Sequence, residues 1–314
     1  MNKETKSDKL DAVTGAFGYT GKYIARRLIK QDRQVITLTG HPHRPNPLGA
    51  PIQPQPFHFS QPEKLAENLH GVDTFYNTYW IRFEFGDQTF ARAVENTRSL
   101  FRAAEQAGLR RFVHVSIANP RQGLGLPYYE GKAALEEALQ NTSLSHAIIR
   151  PTVIFGDEDI LINNIAYLLR RFPVFAIPGS GEYRIQPIFV EDMAELCVQA
   201  GEDNHNQVLD AAGPEIFTFK ELVIFIREAI NSRAVLIHFP PSVARWLARI
   251  IGWTVGDVML TENEVKGLMM NLLVSSHLPL GKTKFSQWVR EHADSLGMEY
   301  ASEVGRHYKN SGSP

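Results

Sequence analysis

One cysteine in 314 residues leaves no intrachain disulfide framework to build on. A basic excess is missing as well. Lys+Arg number 33 against 34 Asp+Glu, a net charge of -1, which argues against a surface that grips nucleic-acid phosphates. No run of about 18 uncharged apolar residues occurs, so nothing reads as a membrane span. The charged start, residues 1–9, is followed by too short an apolar stretch for a secretory signal. Internal repeats and low-complexity segments are absent. What remains is 43% hydrophobic and 21% charged, ordinary usage for a folded chain, and a cytoplasmic protein is expected. The lone thiol, Cys197, sits in an apolar-spaced run and is expected to be buried in a helix.

At roughly 150 residues per domain, the length allows one large α/β domain or a medium domain with a smaller partner. The chain opens with an apolar strand at 10–14, a turn Gly15-Ala16-Phe17-Gly18-Tyr19-Thr20-Gly21, a helical pattern at 23–29 and a second strand at 34–39. This is one β-loop-α-β unit. Residues 41–56 hold six of the 18 prolines and read as a loop. Strands are expected at 57–59, 73–77, 111–116 and 145–149, with helices at 62–69, 88–107 and 130–140 between them. Strict alternation implies an α/β fold, a doubly wound parallel sheet with helices on both faces. Beyond Pro151 the pattern loosens: helices at 160–171 and 192–200, a strand at 184–190, then helical candidates at 218–230, 241–251 and 261–273. The expected division is a dinucleotide-type domain over 10–156 and a smaller, mainly helical, substrate-binding lobe over 157–314. The two interleave, because a strand near 207–210 returns to the first sheet.

Gly15, Gly18 and Gly21 lie between a strand and a helix, where glycine lets the chain turn tightly and brings backbone amides to a pyrophosphate at the positive helix end. An acidic residue after the second strand would hold the ribose hydroxyls of NAD. Here Thr39-Gly40-His41 offers no carboxylate, while His41, His43 and Arg44 suit a 2′-phosphate, so NADP is favoured over NAD; Arg44 read simply is a solvated loop charge. Two phosphate-loop lookalikes fail on spacing. Five positions before Gly281-Lys282-Thr283 stands Ser276, and before Gly21-Lys22-Tyr23 stands Ala16, where glycine is required. The 11 histidines are scattered, without an HExxH motif or cysteine partners, so no metal site is expected.

Ser116 ends an apolar strand, and Tyr128 and Lys132 follow at i, i+4 spacing where a helix begins. That spacing puts both side chains on one helix face, where the ammonium lowers the phenol pKa and makes it a usable acid or base. Ser116, at the carboxyl edge of the sheet, is placed to polarise a reacting carbonyl.

Thr14 to Gly21, the Ser116 strand end, Tyr128-x-x-x-Lys132 and Arg150-Pro151-Thr152-Val153-Ile154-Phe155-Gly156 stand in the order found in the short-chain dehydrogenase/reductase superfamily. Over residues 10 to 220 the chain resembles its extended or atypical branch, which includes nucleoside-diphosphate-sugar epimerases, isoflavone-type reductases, redox-sensing regulators and an accessory subunit of respiratory complex I. The resemblance implies a Rossmann domain in which Gly15, Phe17, Gly18 and Tyr19 contact the pyrophosphate. It also implies that Lys132 holds the nicotinamide ribose, that Asn77 and Thr78 line the cofactor, and that Pro151 and Val153 flank the nicotinamide. Two departures stand out. His58 and Phe59 occupy the place where the family often has an acidic residue reading adenine, and the small-residue turn after the fourth strand is replaced by the bulky residues 78–83.

Substrate-contact candidates are Trp80, Arg82, Asn119, Tyr183, Arg184 and Gln186. Arg82 and Arg184 could bind a phosphate or carboxylate, or form structural ion pairs. The amphipathic stretch 241–251 could lie on a membrane surface; its apolar face is expected instead to pack over the substrate cleft or in a homodimer. The leading expectation is an NADP-dependent oxidoreductase or epimerase acting on a small-molecule carbonyl or hydroxyl, with a nucleotide sugar as one substrate class. The alternative is a non-catalytic NADP(H)-binding redox sensor or assembly factor.

Overall fold

The computed structural model describes residues 9–240 and 261–302; the stretch 241–251 lies outside the described residues. The chain divides into two compact units, Met1–Pro151 with Val190–Ala211, and Thr152–Phe189 with Ala212–Pro314. Against the expected division at 156, the break falls after Pro151, and helix 190–202 joins the first unit along with the returning strand.

The first unit is built on seven parallel strands: β1 Leu10–Thr14, β2 Gln34–Thr39, β3 Gln53–Pro56, β4 Val72–Asn77, β5 Arg111–Val115, β6 His146–Pro151 and, after an excursion into the second unit, β11 Gln207–Ala211. Their order across the sheet is β11-β6-β5-β4-β1-β2-β3. The order reverses beside β1, so the crevice at the carboxyl ends of β1 and β4 is the switch point where open α/β sheets bind ligands. Helices α2 Pro62–Asn68, α3 Phe90–Gln106 and α4 Pro127–Gln140 cover one face. They bury Leu65, Leu69, Leu100, Phe101, Leu135 and Leu139 against Leu38, Phe75, Phe112 and Ile148 of the strands. On the other face lie α1 Tyr19–Lys30 and α6 Val190–Glu202, joined by Arg26–Glu191 and Arg27–Glu195 ion pairs at 3.6 and 3.2 Å. Cys197 is buried in α6, where desolvation pushes its thiol pKa up.

The third strand differs from the expectation. It is Gln53–Pro56, within the proline-rich stretch, while residues 57–59 carry no strand. Pro54 and Pro56 are tolerated because β3 is the sheet's edge and pairs only with β2. The other strands of this unit and its helices fall where hydrophobic periodicity puts them, within a few residues.

In the second unit, β7 Val153–Phe155 pairs with β10 Pro187–Phe189, β9 Arg184–Ile185 with β12 Phe217–Thr218, and β8 Val174–Pro178 with β13 Val235–Phe239. Helices α5 Leu161–Arg171, α7 Phe219–Ala229, α8 Glu262–Met269 and α9 Phe285–Glu291 accompany these ladders. Their core joins Phe155, Ile165, Leu169, Ile185, Leu222, Ile226, Phe285 and Trp288. The expected strand 184–190 is two short strands, because Gln186 between them is tied elsewhere (below). Among the described residues no helix is long and apolar enough to cross a membrane.

Candidate active site

The glycine turn follows β1 directly. Gly15 adopts φ +62°, a left-handed conformation that disfavours any side chain, and its N–H bonds the Leu38 carbonyl of β2 at 2.9 Å. A Cβ on Gly21 would lie 2.4 Å from the Gly15 carbonyl oxygen, so only glycine lets α1 start this close to β1. Gly18 is the N-cap of α1 and supplies no side-chain cap, and the helix's first turn holds no acidic residue. The opening amides of α1 lack intrahelical partners by geometry, which fits an anion in this cradle. Thr37 of β2 steadies the turn: its hydroxyl donates to the Val13 carbonyl and accepts from the Ala16 N–H, both at 2.9 Å. Phe17 and Tyr19 lie half-buried on the same turn.

Across the switch point the polar groups of β1, β4 and β5 form one chain. The Thr78 N–H donates to the Thr14 hydroxyl at 2.6 Å, and the Thr78 hydroxyl donates to the Thr14 carbonyl at 2.7 Å. Asn77 is buried, with Oδ1 accepting from the Tyr79 N–H at 3.1 Å and Nδ2 lying 3.1 Å from His114 Nδ1. Desolvation, and then Lys132, hold the His114 pKa well below its usual value, so its ring is neutral and Nδ1 accepts from Asn77. Asn77 is thus a buried amide already bonded at both ends, and Thr78 and Gly15 lie beside it at the carboxyl ends of β4 and β1. His41 and Arg44 lie half-buried in the loop after β2, the Arg44 N–H bonding the His41 carbonyl at 3.1 Å. Burial and then Arg44 lower the His41 pKa.

Ser116 sits just past β5, its N–H bonded to the Ile149 carbonyl at 2.7 Å. It is 3% exposed, yet its hydroxyl has no hydrogen-bond partner among the described residues. An unsatisfied buried hydroxyl costs free energy and is rare in folded proteins. The hydroxyl therefore has hydrogen-bonding capacity at the carboxyl edge of the sheet that no described residue uses.

Lys132 is 2% exposed on α4 and donates to the Val115 carbonyl at 2.8 Å. One turn further on, Glu136 is fully buried and takes a bidentate pair from Arg150 of β6, at 2.9 and 2.5 Å. These two side chains pin α4 to the ends of β5 and β6. Burial lowers the Lys132 pKa to about 7, against the opposing pull of Glu136. Tyr128 is half-exposed, whereas its neighbour Tyr129 is 6% exposed and packed behind Gly123, where a Cβ would lie 2.4 Å from that of Tyr129. Tyr128 thus has the spacing to Lys132 and, unlike Tyr129, is partly exposed to solvent.

The remaining candidates separate. Trp80 belongs to the first unit and packs on α4. Arg82 is half-buried with its guanidinium 6.0 Å from the Phe83 ring centroid, and Asn119, at φ 52°, precedes a short 3-10 turn at Pro120–Gln122. Pro151 ends β6, its carbonyl accepting from the Ala118 N–H at 2.8 Å, while Val153 opens β7 in the second unit. In that unit Arg184 is exposed. Tyr183 is a core residue stacked on Phe219 at 5.4 Å, with its hydroxyl pKa raised by burial. Gln186 is a clamp rather than a presented side chain: Nε2 donates to the Gly213 carbonyl at 2.7 Å and Oε1 accepts from the Ser275 N–H at 3.0 Å. Among the described residues no group of three His, Cys, Asp or Glu could hold a metal. Residue patterns alone did not single out Thr37, His114 or Glu136, nor the pairing of Arg150 with Glu136; a polar or charged residue inside an apolar run was the available signal.

Comparison with known proteins fits this geometry. Residues 15–166 match the NAD(P)H-binding family model. Triphenylmethane reductase of Citrobacter sp., solved with NADP(H), superposes with TM-score 0.72 at 17% identity over 90% of this chain and 99% of its own. UDP-N-acetylglucosamine 4-epimerase from Methanobrevibacter ruminantium M1 does so with TM-score 0.65 at 19% identity, over 91% and 97%. These structures share the fold. Among curated proteins, NADH dehydrogenase [ubiquinone] 1 alpha subcomplex subunit 9, mitochondrial, of Arabidopsis thaliana is 24% identical over 247 residues; the match spans 75% of this chain and 61% of that protein. Residues 15–166 thus match an NAD(P)H-binding domain, and the fold, a Rossmann-like parallel sheet with flanking helices, is the one these reductases and epimerases share.

Proposed function

We propose that this protein is an NADP(H)-dependent reductase of the short-chain dehydrogenase/reductase type, acting on the carbonyl of a small-molecule substrate. The buried, partnerless hydroxyl of Ser116 at the carboxyl edge of the sheet carries the reading, because a substrate oxygen is the acceptor it needs. The glycine cradle and the loop bearing His41 and Arg44 would hold the dinucleotide, whose nicotinamide supplies hydride when bound. Ser116 donates to the substrate oxygen and polarises the carbonyl. Tyr128 delivers a proton to that oxygen, and Lys132, charged or neutral near pH 7, sets how readily the phenol gives it up. Run in the opposite direction the same groups oxidise a hydroxyl, and doing both in turn is the epimerase variant.

The test is NADPH oxidation against a panel of carbonyl compounds and sugar nucleotides, with Tyr128→Phe as control. Loss of the general acid is expected to cut turnover about 10²–10⁴-fold with NADPH binding retained. Undiminished turnover in Tyr128→Phe would exclude this mechanism.

A second reading has its own support. Trp80 lies against Lys132 and Tyr128, and a curated relative is a mitochondrial NADH dehydrogenase subunit. In that reading the dinucleotide is held for shape or redox sensing within an assembly. NADP(H) binding without turnover of any carbonyl, together with a stable protein complex, would favour it. Cytoplasmic placement and a homodimer remain part of the proposal, tested by fractionation and by light scattering.

A further inference from the structure

Three consecutive contacts on α4 converge on one ring outside it. The Lys132 Nζ lies 4.6 Å from the Trp80 ring centroid, and the Tyr128 ring meets Trp80 edge-on at 5.7 Å and 90°. Between them Gly131 leaves the space that the indole fills: a Cβ there would lie 2.8 Å from Trp80 Cη2. Glycine inside a helix is less favourable than alanine, so the room for this ring is kept at the expense of helix stability. From behind, Phe90 of α3 stacks on the indole at 6.0 Å and 23° and also meets Tyr128 at 5.9 Å.

We propose that Trp80 is a positioning residue for the Tyr128–Lys132 pair, its ring face holding the Lys132 ammonium and its edge contact fixing the tilt of Tyr128. The proposal rests on the reductase reading for its catalytic meaning. An ammonium over an indole face is attracted by the ring quadrupole, most strongly where water is excluded. Lys132 donates one hydrogen to the Val115 carbonyl. The charged or titratable groups near it are Glu136 on its own helix, whose carboxylate is engaged by Arg150 of β6, and neutral His114 of β5. Trp80 thus favours the charged form alongside the pull of Glu136, without competing for its proton. Trp80, expected from sequence to contact substrate, thus acts through Lys132 and Tyr128.

Fluorinated tryptophans weaken the ring quadrupole stepwise with little change of shape, and the readout is the titration of Lys132 in the ligand-free protein. The Lys132 ε-carbon is followed by NMR in ¹³C-lysine-labelled protein and assigned by its disappearance in Lys132→Met. The expected result is a midpoint that falls with each added fluorine, by about half a unit to one unit over the series. A smaller fall is expected in Trp80→Phe with ordinary tryptophan elsewhere. A midpoint that does not move in either set overturns the proposal. In the same proteins, the pH profile of kcat should shift in parallel while KM for substrate stays within about twofold. A stepping midpoint with no turnover of any carbonyl, wild type included, would overturn the reductase reading and leave Trp80 holding Lys132 as described.

Discussion

At the residue scale, Ser116 separates a structural role from a functional one. Its hydroxyl is buried without a partner among the described residues, so in the ligand-free protein it is a cost. Ser116→Ala is expected to leave unfolding stability unchanged or raise it by up to about 1 kcal/mol. Turnover should fall about 10²–10³-fold, the size of effect seen when one donor to a reacting oxygen is removed. Urea unfolding and steady-state rates on the same preparation check both halves, and a loss of stability would mean that the hydroxyl bonds within the fold. Lys132 supplies a pH dependence. Its ammonium titrates near 7 in the fold against 10.5 when solvated, with burial as the cause. Below pH 7 both states are charged and the full burial penalty is present. Between 7 and 10.5 the unfolded chain binds more protons, so this group's contribution to stability rises with pH, by at most about 1.4 kcal/mol per unit. Wild type should therefore gain on Lys132→Met in denaturant titrations between pH 7 and 9.5; parallel curves would show that Lys132 is not depressed.

Among elements, the glycine turn and α4 were readable because each needs a spacing that few sequences satisfy. A Cβ on Gly21 would meet the Gly15 carbonyl at 2.4 Å and the Thr14 carbonyl at 2.8 Å, both backbone atoms that cannot swing aside. Gly21→Ala is expected to push α1 off β1, cost several kcal/mol by the overpacking and strain it forces, and abolish the NADP(H)-induced rise in melting temperature. Retention of that rise at wild-type size would remove the cradle from the cofactor site. The i, i+4 pair of Tyr128 and Lys132 was legible for the same reason, since helix geometry follows from spacing. Contacts between distant segments were not. Residues 78–83 show their bulk in the sequence, but that Trp80 fills the gap left by Gly131 depends on how α4 lies against the end of β4. Likewise Gln186 reads as a substrate-contact candidate and becomes a clamp only when Gly213 and Ser275 come alongside. The strand at 53–56 was missed because proline content outweighed edge position, which only the finished sheet defines.

For the molecule as a whole, the decisive quantity is cofactor selectivity, since a ligand that binds only the folded state stabilises all of it. At a hundredfold excess over Kd that linkage is worth about 2.7 kcal/mol. On the NADP reading proposed above, the 2′-phosphate would meet the Arg44 guanidinium and the His41 imidazole of the loop after β2, whose residues 39–46 include no carboxylate to pair with the ribose hydroxyls of NAD. His41 is biased toward its neutral form by burial and by Arg44, so near pH 7 the charge available there is that of Arg44. A charged hydrogen bond of this kind is worth about 1.5–3 kcal/mol, or roughly ten- to a hundredfold in affinity. NADPH is accordingly expected to raise the melting temperature more than NADH at equal concentration, and Arg44→Ala to bring the two together by weakening NADPH alone. Equal shifts for NADPH and NADH in wild type would reassign Arg44 to the solvated face of its loop and make NAD the cofactor to supply in every assay above.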